Sequence, residues 1–518
     1  MRGTVRNRLL AALFLGILAA PLAALPGGSG NDLADMETAE KRRMAAFPPR
    51  PHSVAELNAF PGRFGDWFGD HMGLRRTLVQ THNRVRLLGL GTSPSPQAVV
   101  GRDGWHFYAH EAAMRGYRRQ FPFTTEQLIR WQHTLEARRD WLAERGIQYL
   151  FVVVPDKATV YGEFMPARIT RQDNPTRLDQ FLAHMAAHSS VPVLDLRPAL
   201  LAAKGGDTPL YRKTDSHWNE YGGFVGYREL MRRVGAMVGA PPPHALTDFR
   251  VATETVPGGG LAGLYDLNAS LTEPVPRLTP NFAPCPPARP VAFEGDFTWY
   301  TGRGPLRTRC DREGLPRAVF FRDSFADALL PFVGDHFAEA VYIVNPFMRE
   351  IMEQILAGRN MAQAPDLVIE QVVQRKLYML EPETDPQVRQ AMLRRRFQQD
   401  GTQLVAISRP QGWPVRATRE GQVFALPPAR AGDGNWPVLH LTVHSPQAAT
   451  LEVAFQTGAG NAPWIPVGEP LAAGRNDLYF GLPLIGFDGR LALVPPVLPE
   501  PLVISGLEVR AVPLDTRR

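Results

Sequence analysis

The residues best suited to chemistry lie in two short, widely separated stretches of the chain. The first is Arg317-Ala-Val-Phe-Phe-Arg-Asp-Ser324-Phe-Ala-Asp-Ala-Leu-Leu-Pro, where a run fit for a buried strand leads straight into Asp323 and Ser324 and then into an apolar segment that reads as a helix. A serine at such a turn exposes its hydroxyl, and its own N–H sits at a helix N-terminus, where partial positive charge can steady an oxyanion. The same two residue types are also preferred N-caps, so plain capping by Asp323 or Ser324 is the competing reading. The second stretch is Tyr211-Arg-Lys-Thr-Asp215-Ser-His217-Trp218-Asn219, ahead of Gly222-Gly223 and a helical run from Phe224 to Val234. A carboxylate two positions before an imidazole can orient the ring and stabilise the imidazolium that forms when the ring takes a proton from a serine. A seryl hydroxyl is too weak an acid to attack an ester unaided, so it needs such a base. A solitary loop histidine, or a fragment of a metal site, remain as alternatives, although no further ligands stand at metal-binding spacing and no metal is expected.

A third candidate is Val153-Val154-Pro155-Asp156-Lys157, which puts a carboxylate and an ammonium at one strand end, for catalytic support, substrate positioning or a rim ion pair. Arg322, Trp218 and Asn219 flank the two main stretches and join Asp156 and Lys157 as candidates for substrate binding or support. Together Asp215, His217 and Ser324 compose a Ser/His/Asp set whose members all follow elements expected to line one crevice, which is stronger than any member alone.

Positioning them is the task of a parallel α/β sheet. Short apolar runs at Ile147–Val154, Val191–Leu194, Ala318–Phe321, Ala340–Val344 and Leu367–Ile369 alternate with helix-length segments such as Thr124–Glu144. Five buried strands with helical crossovers predict a doubly wound, flavodoxin-like sheet, with ligands bound at the carboxyl ends of the strands. Residues 96–385 form this domain. A helical lead-in occupies residues 27–95, broken by Pro48, Pro49 and Pro51, and a basic connecting helix occupies residues 386–400. Beyond Gly401 helical periodicity gives way to short β-type runs, including Leu439–Val443, Thr450–Phe455, Leu478–Leu482, Arg490–Val494 and Leu502–Val509, so residues 401–518 are expected to be an all-β sandwich or jelly roll.

Residues 1–26 carry Arg2, Arg6 and Arg8 ahead of an apolar stretch to Leu25, as in an export signal, either cleaved or retained as a membrane anchor. The 518 residues, 44% of them hydrophobic and 21% charged, suit a multidomain globular protein rather than a disordered or polytopic chain. The formal charge of +6 is scattered, which does not suggest nucleic acid; it would suit an anionic polysaccharide, a phospholipid surface or nothing in particular. Cys285 and Cys310 are the two cysteines, and an oxidising compartment favours a disulfide between them over two free thiols.

Four motifs then carry a resemblance: Gly101-Arg-Asp-Gly-Trp-His-Phe-Tyr108, Val-Pro-Asp-Lys at Val154–Lys157, Asp215-Ser-His-Trp218, and Arg322-Asp-Ser-Phe325. In this order the chain resembles the periplasmic alginate O-acetyltransferase family of the AlgX/AlgJ type, whose catalytic domain is SGNH-hydrolase-like. The resemblance implies Ser324 as nucleophile, His217 as base and Asp215 as its partner, circularly permuted relative to SGNH hydrolases. Arg322 stands where those hydrolases have the glycine of Gly-Asp-Ser. It further implies no cofactor, a membrane-bound O-acyltransferase as acetyl donor, an exported polysaccharide such as alginate or cellulose as acceptor, other polysaccharide export proteins as partners, and a periplasmic location. Trp413, Trp436, Trp464, Tyr479 and Phe480 could form a sugar-stacking platform in a C-terminal carbohydrate-binding module, or fill a sandwich core. A carbohydrate acetyl esterase with the same triad, and a non-catalytic glycan-binding component of an export complex, are the competing functions.

Overall fold

The computed structural model of the chain describes residues 2–24, 43–295, 303–379, 386–415, 422–425, 435–457, 464–482, 487–494 and 497–513. Its strands are, in chain order, a small hairpin of β1 (Ala98–Val100) and β2 (His106–Tyr108), then β3 (Gln148–Val154) and β4 (Val193–Asp195), a second hairpin of β5 (Phe249–Pro257) and β6 (Thr272–Pro280), and β7 (Arg289–Pro290), β8 (Leu306–Arg309), β9 (Arg317–Phe321), β10 (Glu339–Ile343) and β11 (Leu367–Val373).

One seven-stranded sheet organises the larger domain, in the order β4-β3-β11-β9-β10-β8-β7. Its first five strands are parallel, and β8 and β7 extend it antiparallel at one edge. All five predicted strands are present. Taken in chain order they run 2-1-5-3-4 along the sheet, which departs from the flavodoxin order 2-1-3-4-5 because β11, last in the chain, lies between β3 and β9. Every residue of β11 is buried, as a central strand covered on both faces requires.

Strand alternation sorts the core into two layers. Leu150, Val152, Val154, Phe320 and Tyr342 face one layer with Phe224, Tyr227, Leu230 and Val234 of the helix Glu220–Val238. Phe151, Val153, Val319, Phe321 and Val341 face the other, with Leu135 and Leu142 of the helix Thr125–Ala143 and Phe181 of the helix Arg177–His188. Thr124 and Gln127 form a capping box that starts the helix at Thr125, at the predicted boundary.

The remaining strands are β12 (Thr402–Val415), β13 (Gln422–Ala425), β14 (Asn435–Ser445), β15 (Ala449–Thr457), β16 (Trp464–Leu471), β17 (Gly474–Gly481), β18 (Phe487–Val494) and β19 (Leu502–Pro513). They make two four-stranded antiparallel sheets, β12-β19-β14-β17 and β13-β18-β15-β16. Leu439, Leu441 and Phe480 of one sheet pack with Leu451, Val453 and Leu491 of the other, so the second domain is all-β as expected. The connecting helix Pro386–Gln399 joins the two domains: Met392, Leu393 and Phe397 bury into the same cluster as Trp436 and Tyr479, and Arg396 pairs with the buried Glu136.

In the lead-in, the stretch holding Pro48, Pro49 and Pro51 is non-helical, and Ser53 caps a helix over Val54–His71, followed by Arg75–Arg84. Residues 25–42, where a signal cleavage site would fall, lie outside the described residues. An N-terminal helix covers Arg2–Ala23 with Pro21 inside it, and among the described residues no helix is long and apolar enough to cross a membrane, which leaves the anchor reading without support. Cys285 and Cys310 are disulfide-bonded, with Cα atoms 5.3 Å apart.

Candidate active site

The carboxyl ends of β3, β9 and β11 meet at one rim of the sheet, and the loop Tyr211–Trp218 folds over it. A β-bridge between Tyr211 and Trp218 closes that loop, and the Tyr211 hydroxyl donates to Pro155 O just beyond β3, 2.7 Å away. The structure brings three predicted residues together here. His217 Nδ1 lies 2.7 Å from Asp215 Oδ1, and His217 Nε2 lies 2.8 Å from Ser324 Oγ. The tautomer protonated on Nδ1 satisfies both contacts, donating to the carboxylate and leaving Nε2 to accept the seryl proton.

Asp215 accepts two more hydrogen bonds, from His217 N at 3.0 Å and Gly260 N at 2.6 Å. Burial pushes its carboxyl upward, but the bond and charge of His217 and the two amides outweigh it and hold the group well below the usual carboxylate range. Asp215 is therefore charged wherever the histidine needs a counter-ion. Gly259 explains how the backbone comes so near: a Cβ there would sit 2.4 Å from Asp215 Oδ2.

Capping and contact with His217 turn out to be divided between neighbours. Asp323 is the N-cap: Oδ1 accepts from Phe325 N at 3.0 Å and Gln371 Nε2 at 3.0 Å, and Oδ2 from Val373 N at 2.7 Å. Ser324 is thereby free to face His217. No described residue accepts the Ser324 N–H, which starts the turn and stays available to an oxyanion. The apolar helix expected after Ser324 is instead a 3₁₀ turn, Ser324–Ala328, and a four-residue helix, Leu330–Val333. Pro331 fits the break, since it has no N–H to donate back to Asp327 O and sits instead in the first turn of the second helix, where that donor is not needed.

The candidates for substrate binding or support brace the local fold. Arg322 is buried, and its Nη1 donates to Asp327 Oδ1 at 2.6 Å and Asp323 O at 3.2 Å, so it grips the turn from behind. Trp218 is buried and its indole N–H donates to Phe325 O at 2.8 Å, tying the histidine loop to the serine turn. Asn219 caps the helix Glu220–Val238 through Gly222 N at 2.9 Å and donates to Pro209 O. Asp156 and Lys157 do not pair with each other: Asp156 pairs with Arg375, and the buried Lys157 turns the other way to donate to Arg212 O at 2.7 Å, Lys213 O at 2.9 Å and Asp215 O at 2.7 Å. Among the described residues the aromatic platform is not assembled either. Trp436 stacks on His133 of the larger domain with ring centroids 3.8 Å apart, Tyr479 is buried against Phe397 and His440, and Phe480 is in the sandwich core. Trp413 packs on that same core, and the Trp464 side chain lies outside the described residues.

Several residues that matter escaped the sequence reading. Glu273 on β6 accepts from Lys213 N at 2.6 Å, Thr214 N at 3.4 Å and Arg212 Nε at 3.0 Å. Arg375 reaches Asp156 and covers the Phe325 ring at 5.2 Å. Gln371 holds Asp323. The run Gly258-Gly259-Gly260 is a local signal of close backbone approach, but to Asp215 rather than to these three side chains.

Residues 98–287 match the family model described as SGNH hydrolase-like domain, acetyltransferase AlgX. This stretch is therefore similar to the AlgX acetyltransferase domain. The AlgX-type stretch contains Asp215 and His217 and stops short of Ser324, which the hydrogen bond to His217 joins to it. "Probable alginate O-acetylase AlgJ" of Pseudomonas putida is 29% identical over 209 residues, 39% of this chain and 50% of that protein. The protein of the same name from Azotobacter vinelandii is 28% identical over 168 residues, 32% of this chain and 39% of that one. The match thus spans half the length of the first relative and less of the second. The solved structure of Pseudomonas aeruginosa AlgX aligns over 84% of this chain and 98% of its own, at 16% identity and a TM-score of 0.38.

Proposed function

We propose that this chain is an O-acetyltransferase that moves acetyl groups onto hydroxyls of an exported polysaccharide through an acetyl-serine intermediate. The single observation that carries the reading is the unbroken hydrogen-bonded line from Asp215 through His217 to Ser324 at the carboxyl end of the sheet. In the first half-reaction Ser324 Oγ attacks the acetyl carbonyl while its proton passes to His217 Nε2, and the leaving alcohol departs with that proton. In the second, a sugar hydroxyl gives its proton to the same nitrogen, attacks the acetyl-serine, and Ser324 regains its proton as it leaves. The Ser324 N–H serves both tetrahedral intermediates.

The relatives named "Probable alginate O-acetylase AlgJ" support acetyl transfer to a glycan such as alginate; a periplasmic location, a membrane-bound O-acyltransferase as donor and export proteins as partners complete the proposal. Strand order supports a permuted SGNH-type domain: counted from β9, which carries the serine, the parallel strands run 2-1-3-4-5.

The test is mass spectrometry of the pure protein after exposure to the acetyl ester of a nitrophenol, with and without oligosaccharide. The expected results are a covalent acetyl on Ser324 that is absent from Ser324→Ala, and acetylated sugar when acceptor is present. Acetate release alone would mark an esterase, and an unlabelled Ser324 would overturn the mechanism.

A further inference from the structure

The loop that carries Asp215 is gripped from two sides by buried, opposite charges. On one side the Lys157 ammonium has three N–H groups and three acceptors, the carbonyls of Arg212, Lys213 and Asp215, all within 2.9 Å. On the other, the Glu273 carboxylate takes the amides of Lys213 and Thr214, the Thr214 hydroxyl and the Arg212 side chain. Thus one charge collects the loop's carbonyls and the other its amides, over four consecutive residues. Neither touches Ser324 or the His217 ring.

We propose that Lys157 is a positioning residue whose ammonium fixes the backbone at Asp215, so that the carboxylate meets His217 Nδ1 in line with Ser324. The inference rests on the acyl-transfer reading above and deepens it. Its surroundings keep the ammonium in place. The rings of Trp105 and Phe107 lie 5.2 and 5.3 Å from Nζ and wall it off from water. His106, between them, donates its backbone N–H to Lys213 O, the same carbonyl that Lys157 holds. This assigns a task to Gly101–Tyr108 as the outer wall of the clamp. Burial lowers the Lys157 pKa to about 7 against the opposing charges of Asp215 and Glu273, while three carbonyl acceptors favour the form with three N–H donors. A side chain of the same length without the ammonium would leave three carbonyls facing one another with no donor.

The test compares wild type, Lys157→Met and Lys157→Ala, using hydrolysis of the nitrophenyl acetate and the downfield NMR signal of the His217 Nδ1 proton, with Ser324→Ala as the control. Lys157→Met is expected to lower kcat by about 10- to 100-fold, as a small misplacement of a catalytic group does, with KM moved less than about twofold. The Nδ1 proton signal should broaden or vanish. In Lys157→Ala, ethylammonium, which carries N–H donors, should restore part of kcat, and tetramethylammonium, which has none, should not. Unchanged kcat and an intact proton signal in Lys157→Met would overturn the proposal, and so would equal rescue by both cations. If the variant loses its thermal transition, rescue in Lys157→Ala decides. If wild-type hydrolysis does not depend on Ser324, the acyl-transfer reading falls, and the NMR signal still reports on the clamp.

Discussion

Asp215 shows what a single side chain must satisfy before a serine can act. Both of its oxygens are occupied, one by the imidazole and one by the Gly260 amide, so the carboxylate has no freedom to rotate away. Replacing it by Asn keeps the shape and sends the ring to the wrong tautomer. Asp215→Asn is expected to lower kcat by about 10⁴-fold with little change in KM, measured on the nitrophenyl ester. A loss below tenfold would mean that His217 is held by something else. Trp218, a candidate for substrate binding or support, is a lesson of the same kind: an indole N–H aimed at Phe325 O ties the His217 loop to the Ser324 turn.

Among the elements, β11 has the most unusual composition for its place. It is central and buried on both faces, yet holds Glu370 and Gln371 in mid-strand. Glu370 survives there because Arg138 donates to both its oxygens at 2.8 Å and the Tyr149 hydroxyl donates at 2.6 Å. Glu370→Gln leaves the Arg138 guanidinium buried without its counter-charge and is expected to cost about 3–5 kcal/mol, read from the urea midpoint; a shift under about 1 kcal/mol would show the pair to be replaceable. These two polar residues also explain why the sequence reading ended this strand at Ile369: alternation and apolar runs reveal a strand only while its partners are water or hydrocarbon. Asp215, His217 and Ser324 could be read because each follows a recognisable strand or loop signal. Their braces could not, since Glu273, Gln371 and Arg375 act across distances that no local pattern encodes. The hairpin of β5 and β6 was missed for a related reason, because most of β5 faces solvent and carries no apolar stripe.

The whole molecule buries an unusual set of histidines. Burial, followed by the charge of Lys157, lowers His106 to about 4; burial and the nearby His244 do the same to His336; and burial with Arg396 beside it takes His133 at the domain junction well below its ordinary value. Unfolded, all three take up a proton near pH 6.5, whereas in the folded protein His106 and His336 resist until about 4 and His133 is likewise held well below its ordinary value. The unfolded state therefore binds more protons in that window, and stability falls as pH drops through it, by up to about 1.4 kcal/mol per pH unit for each histidine. The urea midpoint is expected to decline steadily from pH 6.5 to 4 and to be flatter in a His133→Phe variant; a midpoint constant over that range would contradict the assignment. The position of β11 has a further consequence, in time rather than space. A ribosome releases His217 long before Ser324, and Ser324 before the strand whose backbone at Val373 anchors Asp323. Until that late strand slides between two earlier ones, the Asp323 cap lacks its contacts from Gln371 and Val373, so the Ser324 turn gains its last support only near the end of the domain's synthesis.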